Sequence, residues 1–410
     1  MKRIIIDSQS NGLLRGSRLE QLYDQRGGLC QVGAGHLVLT TEPVDQGYLR
    51  YWEGLGLGLP RLVSVGPFDA ARTLSELVLA HDGARATIRD LAATDEVRLE
   101  FYCIEEPERA LAQALDVLPY CNFDISIAYA GKLEFKALCG ELGLTTVPWF
   151  HDPDPGAMLR QGLKMLERGQ SVLVKTETGM GGVGCGGMAN PATAEELART
   201  LDAMAGIDGA LFLEGRIDPL RSEFSVHWEI TTSGEVTGIT VFDSISVNNS
   251  YRGTAFPATN EPELAEAARR VVAECFGPYL AAKGGRGFFC CDVLVDSDGV
   301  LYWNDFNPRK GASIYVRDLA LRLSAARMSG APACFWHEGV RLPKGEGLSV
   351  QDVLDCLGGA LEPNQDSFVV LTNPGVVPFG RVDLTGISRR SRDEARRAFQ
   401  RGCRSLSSYL

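Results

Sequence analysis

Residues 285–312 read GRGFFCCDVLVDSDGVLYWNDFNPRKGA, and they are the most informative segment of the chain. Residues 288–295 and 300–307 are rich in aromatic and β-branched side chains, which favour strands. Between them, Asp298-Gly299 is a strong signal for a two-residue hairpin turn. The stretch therefore predicts two antiparallel strands joined by a tight turn.

Two carboxylates face each other across this predicted hairpin. With Asp298 and Gly299 at the centre of the turn, counting back along both strands places Asp292 opposite Asp305. Directly opposed like charges destabilise a strand pair, so a cation between the strands would remove the conflict. Asn307 lies on the same face, and two carboxylates with an amide oxygen suit Mg²⁺. The alternative is an exposed hairpin face whose acids are only solvated.

Basic residues follow the hairpin directly. Pro308 ends the second strand, because proline cannot donate to a strand ladder. Arg309 and Lys310 come next, and we expect both to put positive charge beside the metal site.

The composition is that of a globular protein with several domains. The chain has 410 residues, 45% hydrophobic and 23% charged, and this length favours two to four domains. The sequence shows no run of about 18 apolar residues, so no membrane span is expected. The net charge of −11 is opposite to that of most nucleic-acid-binding chains. Eleven cysteines without paired zinc spacing indicate reduced thiols in a cytoplasmic protein.

A helix with two lysines begins soon after residue 128. Residues 131–142, GKLEFKALCGEL, carry apolar residues on one side and place Lys132 and Lys136 one turn apart on another. A pair of solvated lysines is the alternative to a binding role.

A glycine-rich loop follows the next strand, which ends at Lys175. Six glycines occur within nine residues, at positions 179, 181, 182, 184, 186 and 187. Glycine loses the most entropy on ordering, so such a loop serves to bring backbone N–H groups close to a ligand, typically phosphate. The sequence lacks the GxxxxGK[ST] of P-loop NTPases. A flexible solvent loop is the alternative.

These elements, in this order, resemble the ATP-grasp superfamily over roughly residues 129–325. NDFNPRKGAS looks like the family's E-x-N-P-R-x-G element, and DVLVDSDG resembles its D-x-x-x-D-x-D-G hairpin. Asp305 departs from the first element, where glutamate is usual, and its shorter side chain puts one metal contact in doubt. The segment FDISIAYAGKLEFK and the tail after about residue 335 are loosely similar to pre-ATP-grasp proteins related to the pheganomycin-type peptide ligases of bacterial secondary metabolism.

The resemblance implies a multidomain chain of α/β and α+β units. In the ATP-grasp fold the nucleotide lies between two α+β subdomains, and here an open α/β pre-ATP-grasp domain precedes them. The expected units are a pre-ATP-grasp domain at 1–128, a lid subdomain at 129–225, a metal-binding catalytic subdomain at 226–335 and a C-terminal extension packed on the core at 336–410.

The resemblance also assigns residues to ATP. Lys132 looks like the first nucleotide lysine, which reaches the α-phosphate, and Lys175 like the second, which contacts adenine and phosphate. Glu214 matches the acid at the adenine amino group, and Glu223 the acid at the ribose hydroxyls. The backbone from Gly215 to Ile217 would grip the base.

The resemblance also implies residues that bind the phosphates and residues that bind the metal. The glycines that would cover the β- and γ-phosphates are Gly179, Gly181, Gly182 and Gly184, within the loop that runs to Gly187. The ligands of one or two Mg²⁺ ions, with Mn²⁺ as an alternative, would be Asp292, Asp305 and Asn307.

The implied reaction is that of an ADP-forming carbon–nitrogen ligase. A carboxylate attacks the γ-phosphate of ATP to give an acyl phosphate, and an amine then displaces phosphate to form an amide. Lys132, Lys175 and Arg309 would oppose the developing charge, with Arg286 or Arg252 as alternatives to Arg309. The glycine loop would close over the acyl phosphate and keep water out. No cysteine is needed as a nucleophile.

The substrates are expected to be a small carboxylate and an amine, from amino acids or a small peptide, bound between the first domain and the acid hairpin. Asn248, Tyr251 and Arg252 are candidates to hold a substrate carboxylate, which arginine does bidentately. No nucleic acid or membrane partner is expected, and the resemblance is compatible with a homodimer.

Three other functions stay open at this point. The same site would serve a phosphotransferase that releases a phosphorylated product, or a nucleotide sensor or scaffold without catalysis. The last predicted helix has seven arginines between residues 389 and 404. A solvated surface is favoured there over RNA binding, which would show a salt-sensitive affinity.

Overall fold

The computed structural model describes residues 1–9, 16–177, 188–205, 210–247, 250–328, 333–361 and 366–409. Its N-terminal part is a parallel sheet with strand order β3-β2-β1-β4, flanked by helices. The strands are β1 (Lys2–Ile6), β2 (Leu37–Thr40), β3 (Arg61–Ser64) and β4 (Val97–Phe101). The helices are α1 (Arg18–Gln21), α2 (Tyr23–Gln31), α3 (Gln46–Gly54), α4 (Leu74–Ala80), α5 (Asp82–Thr94), α6 (Glu106–Leu115) and α7 (Phe123–Ala128). The central strands are buried apolar runs, as a parallel sheet covered on both faces requires.

A small antiparallel sheet comes next, with strand order β5-β8-β6-β7. Its elements are α8 (Lys132–Glu141), β5 (Trp149–Phe150), α9 (Pro155–Glu167), β6 (Val172–Thr176), β7 (Met188–Ala189), α10 (Ala194–Met204) and β8 (Leu211–Gly215). Met158 of α9 and Leu197 of α10 pack with Val172, Val174 and Leu213 of the sheet. This apolar layer holds the strand that carries Lys175 against the strand that carries Glu214.

An eight-stranded sheet forms the rest of the molecule, with strand order β13-β12-β9-β10-β11-β14-β16-β15. Its strands are β9 (Leu220–Ile230), β10 (Val236–Val247), β11 (Ser250–Phe256), β12 (Gly287–Asp296), β13 (Leu301–Asn307), β14 (Cys334–Glu346), β15 (Ser367–Leu371) and β16 (Phe379–Ser388). Its helices are α11 (Pro262–Val271), α12 (Gly277–Ala282), α13 (Ala312–Arg327), α14 (Val350–Leu357) and α15 (Arg392–Ser405), with a π-helical turn at Val272–Phe276.

Strands of this sheet cross two of the predicted domain boundaries. The boundary at 225/226 falls inside β9, and the boundary at 335/336 falls inside β14. These two boundaries do not coincide with the ends of secondary-structure elements, and the division into four domains stays a prediction.

An aromatic core lies under the predicted acid hairpin. Phe306 of β13 stacks on Phe289 of β12 and on Trp228 of β9, and it also stacks on Phe135 of α8. Because side chains alternate along a strand, this burial turns Asp292 to the opposite face of the sheet.

The predicted acid pairing is present, but the predicted turn is wrong. Asp292 pairs with Asp305 in the register between β12 and β13. The turn is one residue longer than a two-residue loop, since the Asp296 N–H donates to the Val300 carbonyl at 3.3 Å. A register shift between Asp292 and Val293 then restores the predicted pairing, with Asn304 as the extra residue.

Among the described residues, the structure contains no helix that is both long and apolar enough to span a membrane.

Candidate active site

A cleft of about 600 Å³ runs along the polar face of the acid hairpin. It brings together eleven of the predicted site residues from three parts of the chain. They are Lys132, Lys175, Glu214, Gly215, Ile217, Glu223, Tyr251, Asp292, Asp305, Asn307 and Arg309.

The two hairpin acids repel each other in this cleft. Burial is the main cause that raises the pKa of Asp292, to about 8, and the charges of Asp305 and Glu223 add to it. Glu223 reaches this group because it pairs with Leu294, two residues beyond Asp292 on the same sheet face. Asp292 is half-buried and lines the cleft, which disfavours the alternative of an exposed hairpin face whose acids are only solvated.

Lys132 joins the helix α8 to the acid pair. It lies at the first turn of the helix, and its Nζ is 3.8 Å from Oδ2 of Asp305. The ammonium group is thus placed beside the oxygen ligands that the sequence predicts for a metal.

Glu214 lies between two lysines at the other end of the cleft. Its Oε2 is 2.5 Å from Nζ of Lys136, and its Oε1 accepts a hydrogen bond from Lys175. Burial raises the pKa of Glu214, but Lys175 and Lys136 outweigh burial and hold the pKa below its ordinary value. The group stays a carboxylate with two fixed cations around it.

Lys136 is buried, so the alternative that both lysines of α8 are solvated is wrong. Lys136 is only 2% exposed, because α8 buries the face that carries Phe135 and Leu138. Lys132 and Lys136 are one turn apart, and they contact different acids.

The predicted adenine hinge is partly occupied by the protein itself. The N–H groups of Gly215 and Arg216 donate to the carbonyls of Pro148 and Ser171 at 2.8 and 2.9 Å. A base bound at this strand end would therefore use carbonyl groups or the backbone of Ile217.

Arg309 is held at the end of the cleft that carries the acid pair. Its Nη2 donates to Oδ1 of Asn307 at 2.7 Å, and its guanidinium carbon lies 4.6 Å from the centre of the Tyr102 ring. Tyr102 follows β4 of the N-terminal sheet, so this contact joins the first domain to the hairpin.

Lys310 does not put its charge into the cleft, contrary to the sequence prediction. Its side chain is fully buried, and its Nζ lies 2.9 Å from Asp7 and 2.8 Å from Glu100. Burial raises the pKa of Glu100, but Lys310 and Arg3 outweigh burial and lower it. Lys310 therefore connects the hairpin to the N-terminal sheet.

A neutral polar trio lies beside Asp292. The hydroxyl of Ser225 is 2.9 Å from Nε2 of His227 and 3.2 Å from Sγ of Cys290. Burial raises the pKa of Cys290 and lowers the pKa of His227 to about 3. A thiolate is disfavoured at Cys290, in accord with a reaction that needs no cysteine nucleophile.

Several predicted site residues are not brought into the cleft. Arg286 donates from Nε to the carbonyl of Cys121 at 3.0 Å, and Arg252 is exposed on β11. Of these three candidate arginines, Arg309 lines the cleft, and Arg286 and Arg252 do not. Four glycines of the loop (Gly179, Gly181, Gly182 and Gly184) and Asn248 lie outside the described residues.

The sequence analysis did not predict the residues at the end of the cleft that lies against the N-terminal helices. Arg26 and Tyr23 come from α2, and Arg381 comes from β16. The spacing of Tyr23 and Arg26 places both on one face of a helix. That pattern alone is common, because only the fold brings Arg381 next to them.

Comparisons with known proteins agree with this architecture. Residues 28–117 match the family model of the pre ATP-grasp domain. No curated protein matches the sequence.

Solved structures resemble the chain over nearly its whole length. N5-carboxyaminoimidazole ribonucleotide synthetase from Thermus thermophilus is 19% identical, with a TM-score of 0.59 over 100% of this chain and 98% of that one. N5-carboxyaminoimidazole synthase from Aspergillus clavatus, in complex with ADP and 5-aminoimidazole ribonucleotide, is 14% identical, with a TM-score of 0.59 over 99% of both chains. A biotin carboxylase from Campylobacter jejuni is 14% identical, with a TM-score of 0.59 over 94% of this chain and 87% of that one.

These likenesses define the class of protein by its fold. The chain has the ATP-grasp fold with a pre-ATP-grasp domain in its N-terminal part, which confirms the fold that the sequence predicts.

Proposed function

We propose that this protein is an ATP-dependent, ADP-forming ligase that joins a carboxylate to an amine. One observation carries the proposal: a single cleft holds the opposed pair Asp292 and Asp305, with Lys132 beside it, and the cluster of Glu214 with its lysines. Fold neighbours were solved in complex with ADP and as a beta-gamma-ATP complex, which supports a nucleotide in this cleft.

The hairpin oxygens fit Mg²⁺. Asp292, Asp305 and Asn307 offer hard oxygen donors. Burial is the main cause that raises the pKa of Asp292, and the repulsion from Asp305 and Glu223 that adds to it is a contribution that a divalent cation would offset. Mg²⁺ bound to them would neutralise charge on the phosphate oxygens of ATP.

The cationic side chains have separate tasks in this proposal. Lys175 and Lys132 hold phosphate oxygens, and Glu214 fixes the direction of the Lys175 ammonium group. Arg309, positioned by Asn307 and Tyr102, faces the negative charge that develops at the reacting carboxylate.

The reaction then takes two steps. An oxygen of the substrate carboxylate attacks the γ-phosphorus, the bond to ADP breaks, and an acyl phosphate forms. The amine nitrogen attacks the acyl carbon, phosphate leaves with the bonding electron pair, and the nitrogen loses its proton. The product is an amide.

The substrates that we propose are amino acids or a small peptide. This narrower assignment is supported by the similarity of the 123–136 region and the tail to pre-ATP-grasp proteins of the pheganomycin type. The same similarity favours a role in the biosynthesis of a secondary metabolite.

Hydroxylamine tests the proposal, because it traps an acyl phosphate as a hydroxamate. Protein, ATP, Mg²⁺ and a panel of amino acids should give ADP and hydroxamate in equal amounts. ADP with a stable phosphorylated product and no hydroxamate would indicate a phosphotransferase. AMP as the product, or no ADP with any acid, would contradict the ligase.

Two asparagine variants of the same hairpin provide a matched control. Asp305→Asn should lose ADP formation while keeping nucleotide binding. Asp298→Asn changes an exposed acid in the turn and should leave the rate unchanged. Equal rates in both variants would remove Asp305 from the site.

A further inference from the structure

The end of the cleft that lies against α1 and α2 carries charged groups that the proposed ATP and metal sites do not use. Arg26 and Arg381 face this end together with Glu20 and the ring of Tyr23. We call these four residues the distal pole. They come from α1, α2 and β16, so they meet only in the folded chain.

Arg26 is buried but is not neutralised by a close ion pair. It is only 4% exposed, and its Nη1 lies 3.7 Å from Asp383. Arg381 shares the same acid, with its Nε also 3.7 Å from Asp383. The Nε of Arg26 is buried without a hydrogen-bond partner among the described residues. Two guanidinium groups thus compete for one distant carboxylate, which leaves hydrogen-bonding capacity for an anion.

An acid stands beside these arginines. Gln9 links the two kinds of charge when its amide is turned to the orientation that satisfies both of its groups. The amide oxygen then accepts from Nη2 of Arg26 at 3.0 Å, and the amide nitrogen donates to Glu20 at 2.9 Å. Burial raises the pKa of Glu20, while Arg381 and Arg26 act to lower it. The distal pole therefore offers cationic and anionic groups at neighbouring positions.

Stacked tyrosine rings separate the distal pole from the metal end. The guanidinium of Arg26 lies 5.2 Å from the ring centre of Tyr315, and that of Arg309 lies 4.6 Å from the ring centre of Tyr102. The two rings are stacked with their centres 5.9 Å apart. A group held by Arg26 is thus a different group from the one that reacts beside Arg309.

We infer that the distal pole binds the α-ammonium and α-carboxylate of an amino acid, whose side-chain carboxylate is the group that reacts. Arg26 and Arg381 take the α-carboxylate, and Glu20 takes the α-ammonium. The inference rests on the proposed ligase function, and it narrows the acid substrate to an amino dicarboxylate such as glutamate or aspartate.

The charge balance favours this class over a phosphate ester. The two arginines are matched by two acids, Asp383 behind them and Glu20 beside them. A dianionic phosphate carries no positive charge, so it would be repelled by Glu20. An amino-acid zwitterion presents its carboxylate to the arginines and its ammonium group to Glu20.

Substrate pairs test the inference directly. Initial rates of ADP release should be higher with glutamate than with glutarate, and higher with aspartate than with succinate, since each second acid lacks the ammonium group. N-acetylation of glutamate should lower kcat/KM about tenfold or more, because it leaves Glu20 unpaired. Equal kcat/KM for the members of each pair would overturn the inference while leaving the ligase intact.

Variants locate the effect. Arg381→Gln and Glu20→Gln should each raise the KM for the amino dicarboxylate about tenfold or more, with the KM for ATP and kcat little changed. Arg341→Gln is the matched control, because Arg341 pairs with Arg381 across β14 and β16 and is exposed outside the cleft. An unchanged KM in Arg381→Gln, or an equal rise in Arg341→Gln, would contradict the distal pole.

Calorimetric binding separates the two proposals. Wild-type protein with ADP and Mg²⁺ should bind glutamate, and Arg381→Gln should bind it about tenfold more weakly or worse. Binding with this loss but without ADP formation from ATP would support the distal pole and reject the ligase. No binding of either amino dicarboxylate to the wild-type protein would overturn the distal pole.

Discussion

Glu214 is a buried acid that its two lysine neighbours keep charged. Two lysines surround it, and its pKa stays below the ordinary value despite burial. Removing one lysine leaves the other to compensate Glu214, whereas removing the carboxylate leaves two cations together, one of them fully buried.

The unequal effect of these changes is a prediction. Glu214→Gln should lower the free energy of unfolding by about 3 kcal/mol, since an uncompensated buried charge remains. Lys136→Met should lower the free energy of unfolding by less, because Lys175 still pairs with Glu214. Urea unfolding followed by circular dichroism measures both. A larger loss in Lys136→Met than in Glu214→Gln would contradict this account of the cluster.

Asp292 predicts a pH dependence with a definite sign. Its pKa is about 8 in the folded chain, above the ordinary value of 3.8, so the folded state binds its proton more tightly. The resulting stability is present in full below pH 3.8 and is lost as the pH rises towards about 8.

Unfolding in EDTA at a series of pH values measures this effect. Between about pH 5 and 8, the free energy of unfolding should fall more steeply in the wild type than in Asp292→Asn. Saturating Mg²⁺ should flatten the wild-type curve, because the cation offsets the repulsion between Asp292 and Asp305. Parallel curves for wild type and variant in EDTA would rule out the raised pKa.

The sequence could predict which residues carry charge, but not which charges meet. The helical spacing of Lys132 and Lys136 was sufficient to place them one turn apart. It could not show that Lys136 is buried, since its partner Glu214 comes from β8, a distant part of the chain. Contacts of this kind depend on tertiary packing: α8 packs on β13 of the large sheet, and this places Lys136 next to Glu214 of the small sheet.

The acid hairpin shows the same limit at the scale of an element. Alternation and the Asp-Gly signal predicted two strands with opposed acids, and the structure has both. The turn was predicted one residue too short, and the extra residue Asn304 restores the register. Its neighbour Trp303 donates to the carbonyl of Thr145 at 2.9 Å, a contact from outside the hairpin that local sequence does not reveal.

The conformation of the turn gives a third prediction. Gly299 has φ +81°, and a Cβ there would meet only ordinary contacts, so the cost of a side chain is conformational. Gly299→Ala should lower the free energy of unfolding by about 1 kcal/mol, and Gly299→Asn should lower it less, since asparagine tolerates this region better.

Activity separates the turn from the acid pair. Pairing of β12 with β9 fixes the position of Asp292 independently of the turn. The KM for Mg²⁺·ATP should therefore be unchanged in Gly299→Ala. A raised KM would mean that the turn, and not the central strand, sets the geometry of the acids.

The whole molecule is organised around one large sheet. The C-terminal residues were predicted as an extension packed on the core. In the structure, β14, β16 and β15 continue the large sheet beyond β11. Arg381 reaches the cleft only through this arrangement. Antiparallel pairing of strands that are distant in sequence has no local signal, so the contribution of this region to the site could not be predicted.

Lys310 connects the hairpin to the N-terminal sheet in the interior of the molecule. It is paired with Asp7, which follows β1, and with Glu100 on β4. Glu100 keeps Arg3 and Arg98 as further partners at 2.6 and 2.8 Å, whereas Asp7 has Gln31 as its other hydrogen-bond donor. Loss of Lys310 would thus leave mainly Asp7 without a counter-charge.

Lys310→Met should therefore destabilise the protein by about 3 kcal/mol at neutral pH, as expected for a buried charge left unpaired. The loss should be smaller at acidic pH, because burial raises the pKa of Asp7 and a protonated Asp7 needs no partner. Adding Asp7→Asn to Lys310→Met should restore part of the stability, while Lys344→Met, at an exposed lysine, should have little effect. Urea unfolding of the wild type and these variants at both pH values measures these differences. A double variant less stable than Lys310→Met would mean that Asp7 holds the first domain against the hairpin by contacts other than its charge.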